Sequence, residues 1–455
     1  MKKNGNIRWP IHKLYKISKL DNLIIPFKAL KINFRALSWV FVIVAISANT
    51  HVGAQTGGSH DKITPDTAHL KLNDSIARQK DAIDILAYWF HRQRSYEKDT
   101  TEKKAGKLFL SVLPGIGYAD ENGFSVVANV IGAFYTSEGK DANISSVSIA
   151  PNITQKNQFI CPLVSDVWTK GNKLDFLSDL RYYIYPSVTY GLGGNTTLAD
   201  ADKINYQFIR FYQQVLKELA PDLVGGIGYN LDYHYDIKDN IGGTYEGGGI
   251  TDFSRYDGGH INPTSSSSGL SVNLLYDTRR NLINPVGGGS YANIFLRQNL
   301  TALGSDANYE TVLLDFRKYF RFPYNSHNVL AIWNFYWLTI GNNPPYLDLP
   351  STSWDTYSSS CRGYPQDRYR GRNMLYLEAE YRMSLSRNGL FGAVVFSNLQ
   401  AFSQEWPNNS INTLIPAVGA GFRFKINKLS NTNFCLDYGI GRDGGTVFLN
   451  LGELF

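Results

Sequence analysis

The sequence predicts an all-β protein, a 16-stranded antiparallel transmembrane β-barrel with a short N-terminal periplasmic helical linker. Three observations carry this prediction. Apolar residues recur with a period of two from Lys107 onward, the opposite faces of the same strands carry Glu, Arg and Lys, and an export segment precedes them. A soluble sandwich also alternates, but it hides its apolar face and exposes its polar one. Here aromatics crowd one face and charges the other, which suits a barrel with lipid outside and water inside.

The composition agrees. Gly (41), Tyr (29) and Phe (25) are abundant and charged residues make up only 18% of the 455 residues, as expected for many short strands joined by polar turns. The net charge is +6, but nine Lys or Arg against one acid, Asp21, fall in the first thirty-five residues. The remainder is close to neutral, so no nucleic-acid partner is expected. Cys161, Cys361 and Cys435 are far apart and the histidines are scattered. Neither a metal centre nor a disulfide framework is indicated, and no cofactor is expected.

Taken in order, residues 1–54 read as a signal peptide. The apolar run from Ala36 to Ile46 is too short for a comfortable bilayer span, and Val52-Gly53-Ala54 supplies small residues for cleavage before Gln55. The alternative is a membrane anchor, which would need a longer apolar run. Residues 55–105 form a polar periplasmic linker with one helix from about Asp74 to Arg94, where Ile76, Ile83, Leu86, Ala87 and Phe90 recur at helical spacing.

Residues 106–455 are the barrel. Its sixteen expected strands are 107–118, 123–135, 144–154, 157–168, 173–184, 205–218, 222–236, 267–279, 288–299, 308–320, 327–340, 373–385, 390–400, 413–426, 431–441 and 446–455. The alternation is plainest in three of them. Leu375, Leu377, Ala379, Tyr381 and Met383 oppose Tyr376, Glu378, Glu380 and Arg382; Leu270, Val272, Leu274 and Tyr276 oppose Ser271, Asn273 and Asp277; Val418, Ala420, Phe422 and Phe424 oppose Arg423 and Lys425. The long connections 185–204, 237–266 and 341–372 all follow odd strands, so all emerge on one side. Long extracellular loops and short periplasmic turns are the rule for bacterial outer-membrane barrels, which places this one in the outer membrane. The last strand is read as running to Phe455, with Val447, Leu449, Leu451 and Phe455 on one face.

Four stretches carry a more specific signal: "FLSVLPGIGYADENGFSVVANV" (109–130), "YDTRRNLINPVGGGSYANIFLRQN" (276–299), "CRGYPQDRYRGRNMLYLEAEYR" (361–382) and "CLDYGIGRDGGTVFLNLGELF" (435–455). Together, and in this order, they resemble the outer-membrane protein 85 superfamily, which holds the BamA/TamA-type and bacterial surface antigen barrels. The resemblance covers about 350 residues, essentially all that follows the linker. It implies that the loop after the eleventh strand folds back into the lumen and touches the wall through Arg362, Gly363 and Tyr364. A buried guanidinium needs carboxylates, and the candidates are Glu378, Glu380, Asp277 and Asp437. Asn398 stands where the family usually has an aspartate. The resemblance also assigns Asp277, Arg279, Asn281, Pro285 and Gly288 to a periplasmic turn, for which a structural role in fixing backbone angles is the favoured reading. Residue chemistry alone favours reading "SCRGYPQDRYRGR" (360–372) as a solvated extracellular loop; the resemblance is what favours the lumen.

Family members that insert or translocate polypeptides carry transport-associated domains ahead of the barrel. A linker of about fifty residues cannot hold one. The expected role is outer-membrane protein assembly or macromolecule translocation, with a passive pore or structural barrel as the alternative, and no enzymatic activity in either case. Expected partners are outer-membrane lipids, the barrel-assembly machinery that inserts the chain, and either unfolded outer-membrane proteins or a separate periplasmic docking protein. The seam between first and last strands is the expected working part, with Pro114, Gly115, Gly117 and Phe455 as its residues. Pro114 lacks a ladder donor, and Gly115 and Gly117 lack side chains; the alternative is that all three only fit a tight hairpin. Gly439-Ile440-Gly441-Arg442-Asp443-Gly444 satisfies G-x-G-x-x-G, but no helix follows it, so it is not read as a dinucleotide site.

Overall fold

A computed structural model describes residues 78–91, 105–119, 122–138, 142–239, 262–324, 326–341, 344–356, 358–403, 411 and 413–455. The signal peptide and most of the linker lie outside the described residues. Among the described residues one helix, α1 (Ala82–Trp89), precedes the strands β1 (Phe109–Ala119), β2 (Gly123–Tyr135), β3 (Ile144–Ile149), β4 (Asn152–Thr154), β5 (Phe159–Trp168), β6 (Asp175–Thr189), β7 (Asp202–Ala220), β8 (Leu223–Asp239) and β9 (Thr264–Asp277). They are followed by β10 (Gly289–Asn299), β11 (Tyr309–Arg321), β12 (Val329–Gly341), β13 (Asn373–Ser384), β14 (Phe391–Phe402), β15 (Ile415–Asn427), β16 (Thr432–Gly441) and β17 (Gly444–Leu451).

All the strand pairings are antiparallel, in a single sheet of seventeen strands. The count reconciles with sixteen because β3 and β4 are two halves of one stave. Both pair with β2 and with β5, on either side of Ala150-Pro151. Proline interrupts the ladder there because it has no N–H to give.

Two connections are shorter than the sequence suggested. The β6–β7 ladder continues to Thr189–Asp202 and the β8–β9 ladder to Tyr235–Thr264. The added residues of β9, Thr264 to Ser266, are polar, and Pro186 and Ser187 interrupt the apolar alternation at the end of β6, so no two-residue hydrophobic pattern marks these ends.

The distribution of residues is inside-out relative to a soluble protein. Leu270, Val272, Leu274 and Tyr276 of β9 are exposed on the outer wall, as are Val418 and Phe422 of β15 and Leu436, Tyr438 and Ile440 of β16. Charged residues fill the interior: Asp232, Arg297, Arg317, Glu378, Glu380, Arg382, Arg423 and Asp437 are all buried. Water would not tolerate so much exposed apolar surface on one band, whereas a bilayer requires it. The protein is a transmembrane β-barrel.

Two readings of the sequence are corrected. The helix begins at Ala82 rather than near Asp74, because Asp81 caps it. The Asp81 carboxylate accepts from Asp84 N at 2.8 Å and the Asp84 carboxylate accepts from Asp81 N at 3.3 Å, a reciprocal capping box. The remaining ends of the expected helix, 74–77 and 92–94, lie outside the described residues. α1 rests on the periplasmic turns: Lys80 N donates to Asn388 O at 2.9 Å, and Lys428 Nζ pairs with Asp84 Oδ2 at 2.8 Å.

The last strand also stops early. β17 ends at Leu451, and Gly452 at φ 93° turns the chain inward. Phe455 is therefore not on the outer wall with Val447, Leu449 and Leu451. It is buried in the lumen, its ring centroid 5.2 Å from that of Trp333 and 6.4 Å from that of Tyr319.

Candidate functional site

The loop between β12 and β13 turns back into the barrel, and its own backbone aims the tip. Cys361 at φ 64° and Gly363 at φ 103° flank Arg362, reversing the chain on both sides of it. Cross-bridges hold the two limbs together: Thr352 N donates to Tyr369 O at 2.9 Å and Gly371 N to Pro350 O at 3.0 Å. On the extracellular side Gly193 N donates to Arg370 O at 2.7 Å, and Arg368 pairs with Asp443 at 2.8 Å. The loop is thereby fixed at both ends.

Arg362 is completely buried, and its guanidinium meets three carboxylates. Nη1 donates to Asp437 Oδ2 at 2.6 Å, and Nη2 donates to both Glu378 and Glu380. The guanidinium also lies 3.7 Å from the ring centroid of Phe396, a desolvated cation–π contact. Two more arginines extend the network: Arg382 donates to Glu380, and Arg423 donates to Asp437 and, at 2.8 Å, to Glu453. Three guanidiniums thus alternate with four carboxylates across β13, β15, β16 and the tail. Such alternation allows charge to lie out of water without an isolated ion.

Gly363 and Tyr364 pack against β15 and β16. Gly363 N donates to Thr446 Oγ1 at 3.1 Å. Tyr364 donates its hydroxyl to Pro416 O at 2.6 Å and accepts from Arg442 N at 2.8 Å. The bare track that receives them is Gly439-x-Gly441. A Cβ on Gly439 would sit 2.7 Å from Gly363 N, and one on Gly441 would sit 2.3 Å from the Tyr364 ring. The G-x-G spacing has a purpose after all: two glycines two apart on a strand clear one inward face.

Among the sequence-derived partners, Glu378, Glu380 and Asp437 reach Arg362. Asp277 does not. It belongs to Arg279, which binds it at 2.7 Å from two residues along the chain, so the Arg362–Asp277 assignment is corrected. Asn398 is next to the site in a different role: Nδ2 donates to Arg362 O at 2.9 Å. A carboxylate there could not donate to a carbonyl, and the cation already has its anions.

The turn residues do more than set angles. Asn281 Oδ1 accepts from Ile283 N at 3.0 Å and Asn284 N at 2.9 Å, while its Nδ2 donates to Ser430 O at 3.1 Å in the β15–β16 turn. Glu453 N donates to Ile283 O at 2.9 Å. Pro285 and Gly288, the latter at φ 85°, lie in the same turn. The segment spans the periplasmic mouth and ties the β9–β10 turn to the tail.

At the seam, β1 and β17 lie beside each other, yet no ladder joins them among the described residues; β1 pairs with β2 alone. Pro114 is on the open edge. Its partner Ala128 donates to Pro151 O at 3.1 Å, away from β1. The Pro114–Ala128 pair is therefore of the non-hydrogen-bonded kind, and the proline nitrogen points at the seam. Gly115 and Gly117 have another job. A Cβ on either would lie 2.8 Å from Val127 or Ser125 of β2, so they serve the β1–β2 hairpin rather than the seam. Phe455, in the lumen, is not a seam residue.

Sequence reasoning did not find Arg423, Glu453, Phe396 or Trp333 as members of the site. Arg423 and Phe396 could have been found by extending the inward parity of β14 and β15. Glu453 could not, because Gly452 breaks that parity.

No protein-family model matches the sequence, and no curated protein matches it either. Solved structures do. BamA from Haemophilus ducreyi lacking POTRA domains 1–3 superposes at a TM-score of 0.53 with 15% identity, over 76% of this chain and 70% of that one. CdiB from Acinetobacter baumannii gives 0.48 at 10% identity, over 76% and 59%, and CdiB from Escherichia coli 0.48 at 12%, over 77% and 68%. The BamA likeness, at 15% identity, is one of fold: a β-barrel of similar architecture.

Proposed function

We propose that this outer-membrane barrel acts on polypeptides by opening between β1 and β17 and offering the edge of β1 to an incoming strand. The observation that carries the reading is the missing β1–β17 ladder, with the donorless Pro114 nitrogen on the exposed edge. A backbone group left unpaired in hydrocarbon costs several kcal/mol. An unzipped seam is thus already part-way to open, and pairing with a client strand would relieve it by β-augmentation. The lumen supports this over a passive pore. Arg362, Tyr364, Trp333, Tyr376 and Phe455 are buried within it and narrow the passage beside β12 to β16. The role is a mechanical one without a chemical reaction. Clients would be unfolded outer-membrane proteins, delivered directly or by a separate periplasmic protein.

Disulfide locking tests the gate. Val112→Cys and Ile116→Cys, each combined with Val447→Cys or Leu449→Cys, should yield a pair that oxidises across the seam. Insertion of an unfolded outer-membrane barrel into vesicles should stop in the oxidised protein and return on reduction. Undiminished insertion by the locked barrel would reject the gate.

A further inference from the structure

At the periplasmic mouth, outside the Arg362 contacts, a cleft of about 380 Å3 opens between the segment preceding α1, the β13–β14 turn and the ends of β13 and β15. Among the described residues its charged lining is one-sided: Arg78, Arg382, Arg387, Arg423 and Lys425 face Glu453. That single carboxylate is already committed to Arg423 at 2.8 Å and to Asn433 at 2.8 Å. Lys425 has only the neutral Asn431 oxygen as a hydrogen-bond partner. Among the described residues neither Arg78 nor Arg387 makes an ion pair, and both are exposed at the entrance. Arg382 is the more telling residue. Only 6% exposed, it gives Nε to Glu380 and Nη2 to Phe455 O at 2.7 Å, while its Nη1 is buried with no partner.

A buried guanidinium donor with no acceptor is costly, and a low-dielectric cleft lined by one sign of charge concentrates ions of the other. Guanidiniums match the oxygens of phosphate in paired geometry. The volume is in the range of small-ligand sites, too small for two acyl chains but ample for a phosphorylated group. Apolar Leu390 and Phe391 at the rim give an attached chain a place to leave. We propose that the cleft binds a phosphorylated group, carried by a soluble phosphoester or by a lipid headgroup, between the arginine pair at the entrance and Arg382 and Lys425 at its floor.

The full chain should be titrated with inorganic phosphate in a phosphate-free detergent, and separately reconstituted in nanodiscs with or without phosphatidylglycerol and examined for retained lipid. Binding of inorganic phosphate assigns a soluble ligand, and retention of phosphatidylglycerol alone assigns the headgroup; either supports the site. Combining Arg78→Gln with Arg387→Gln, both exposed and harmless to folding, should weaken binding about tenfold or more through loss of two charge-assisted contacts. Lys425→Gln should weaken it from the floor. Arg280→Gln, on an exposed periplasmic residue that does not line the cleft, should leave it unchanged. Failure of both probes, or equal losses in the Arg280→Gln control, would overturn the proposal.

Discussion

Arg362→Ala is expected to release the lumen loop. The guanidinium bridges Glu378, Glu380 and Asp437; Glu380 also pairs with Arg382 and Asp437 with Arg423, whereas Glu378 pairs with Arg362. Glu378 and Glu380 project from one face of β13, so removing the cation leaves the buried Glu378 without its cation beside Glu380, which keeps Arg382. Breaking a buried pair from one side costs about 3–5 kcal/mol, well above the value of an exposed salt bridge. The loop's extracellular anchors, Arg368 to Asp443 and Arg370 to Gly193, are insufficient to hold the tip against that cost.

The adjacent thiol reports the release. Cys361 is fully buried and its thiol is pushed up by that burial, so it resists alkylation while the loop is docked. In Arg362→Ala it should react with a maleimide under native conditions, and the melting temperature should fall. Adding Glu378→Gln should recover part of the loss, because the stranded charge goes with the cation. An unreactive Cys361 in Arg362→Ala, with melting unchanged, would show that the ion network does not hold the loop.

Gly441→Val attacks the same docking without touching a charge. The Tyr364 ring covers Gly441, where a Cβ would approach to 2.3 Å, and it cannot slide because its hydroxyl is bonded to Pro416 O and Arg442 N. Overpacking costs about 1–3 kcal/mol, and each hydrogen bond lost as the ring is displaced adds about 0.5–1.5 kcal/mol. Cys361 labelling should rise as in Arg362→Ala, whereas Gly287→Ala, where a Cβ would meet nothing within 4 Å, should not expose Cys361. If Gly441→Val left Cys361 protected, the glycine track would be incidental to docking.

Much of this arrangement was legible in the sequence because strands have a rigid period. Once Glu378, Glu380 and Arg382 alternate with Leu377, Ala379 and Tyr381, their shared face follows, and Asp437 falls inward by the same parity. Parity says nothing about position around the circumference. Asp277 points inward as well, and only the fold reveals that it is claimed by Arg279. Phe455 misled for a related reason. Counting by twos from Val447 puts it outside, but Gly452 in a left-handed conformation resets the count. Gly439-x-Gly441 was visible as a motif yet had no meaning until its partner across the lumen, Gly363-Tyr364, was in view. The start of α1 was blurred because apolar spacing at Ile76 extends past the Asp81 cap, and a cap outweighs one more apolar residue.

The central claim is that the barrel closes without backbone pairing along the β1–β17 seam. Residue-resolved hydrogen exchange on the barrel in bilayers tests it most directly. Amides of β1 that point to the seam, those of Val112 and Ile116, should exchange far faster than those of Leu270 and Val272 on β9, which has ladders on both sides. Equal protection of the two strands would mean that the seam is zipped, and the proposed opening would have no structural basis.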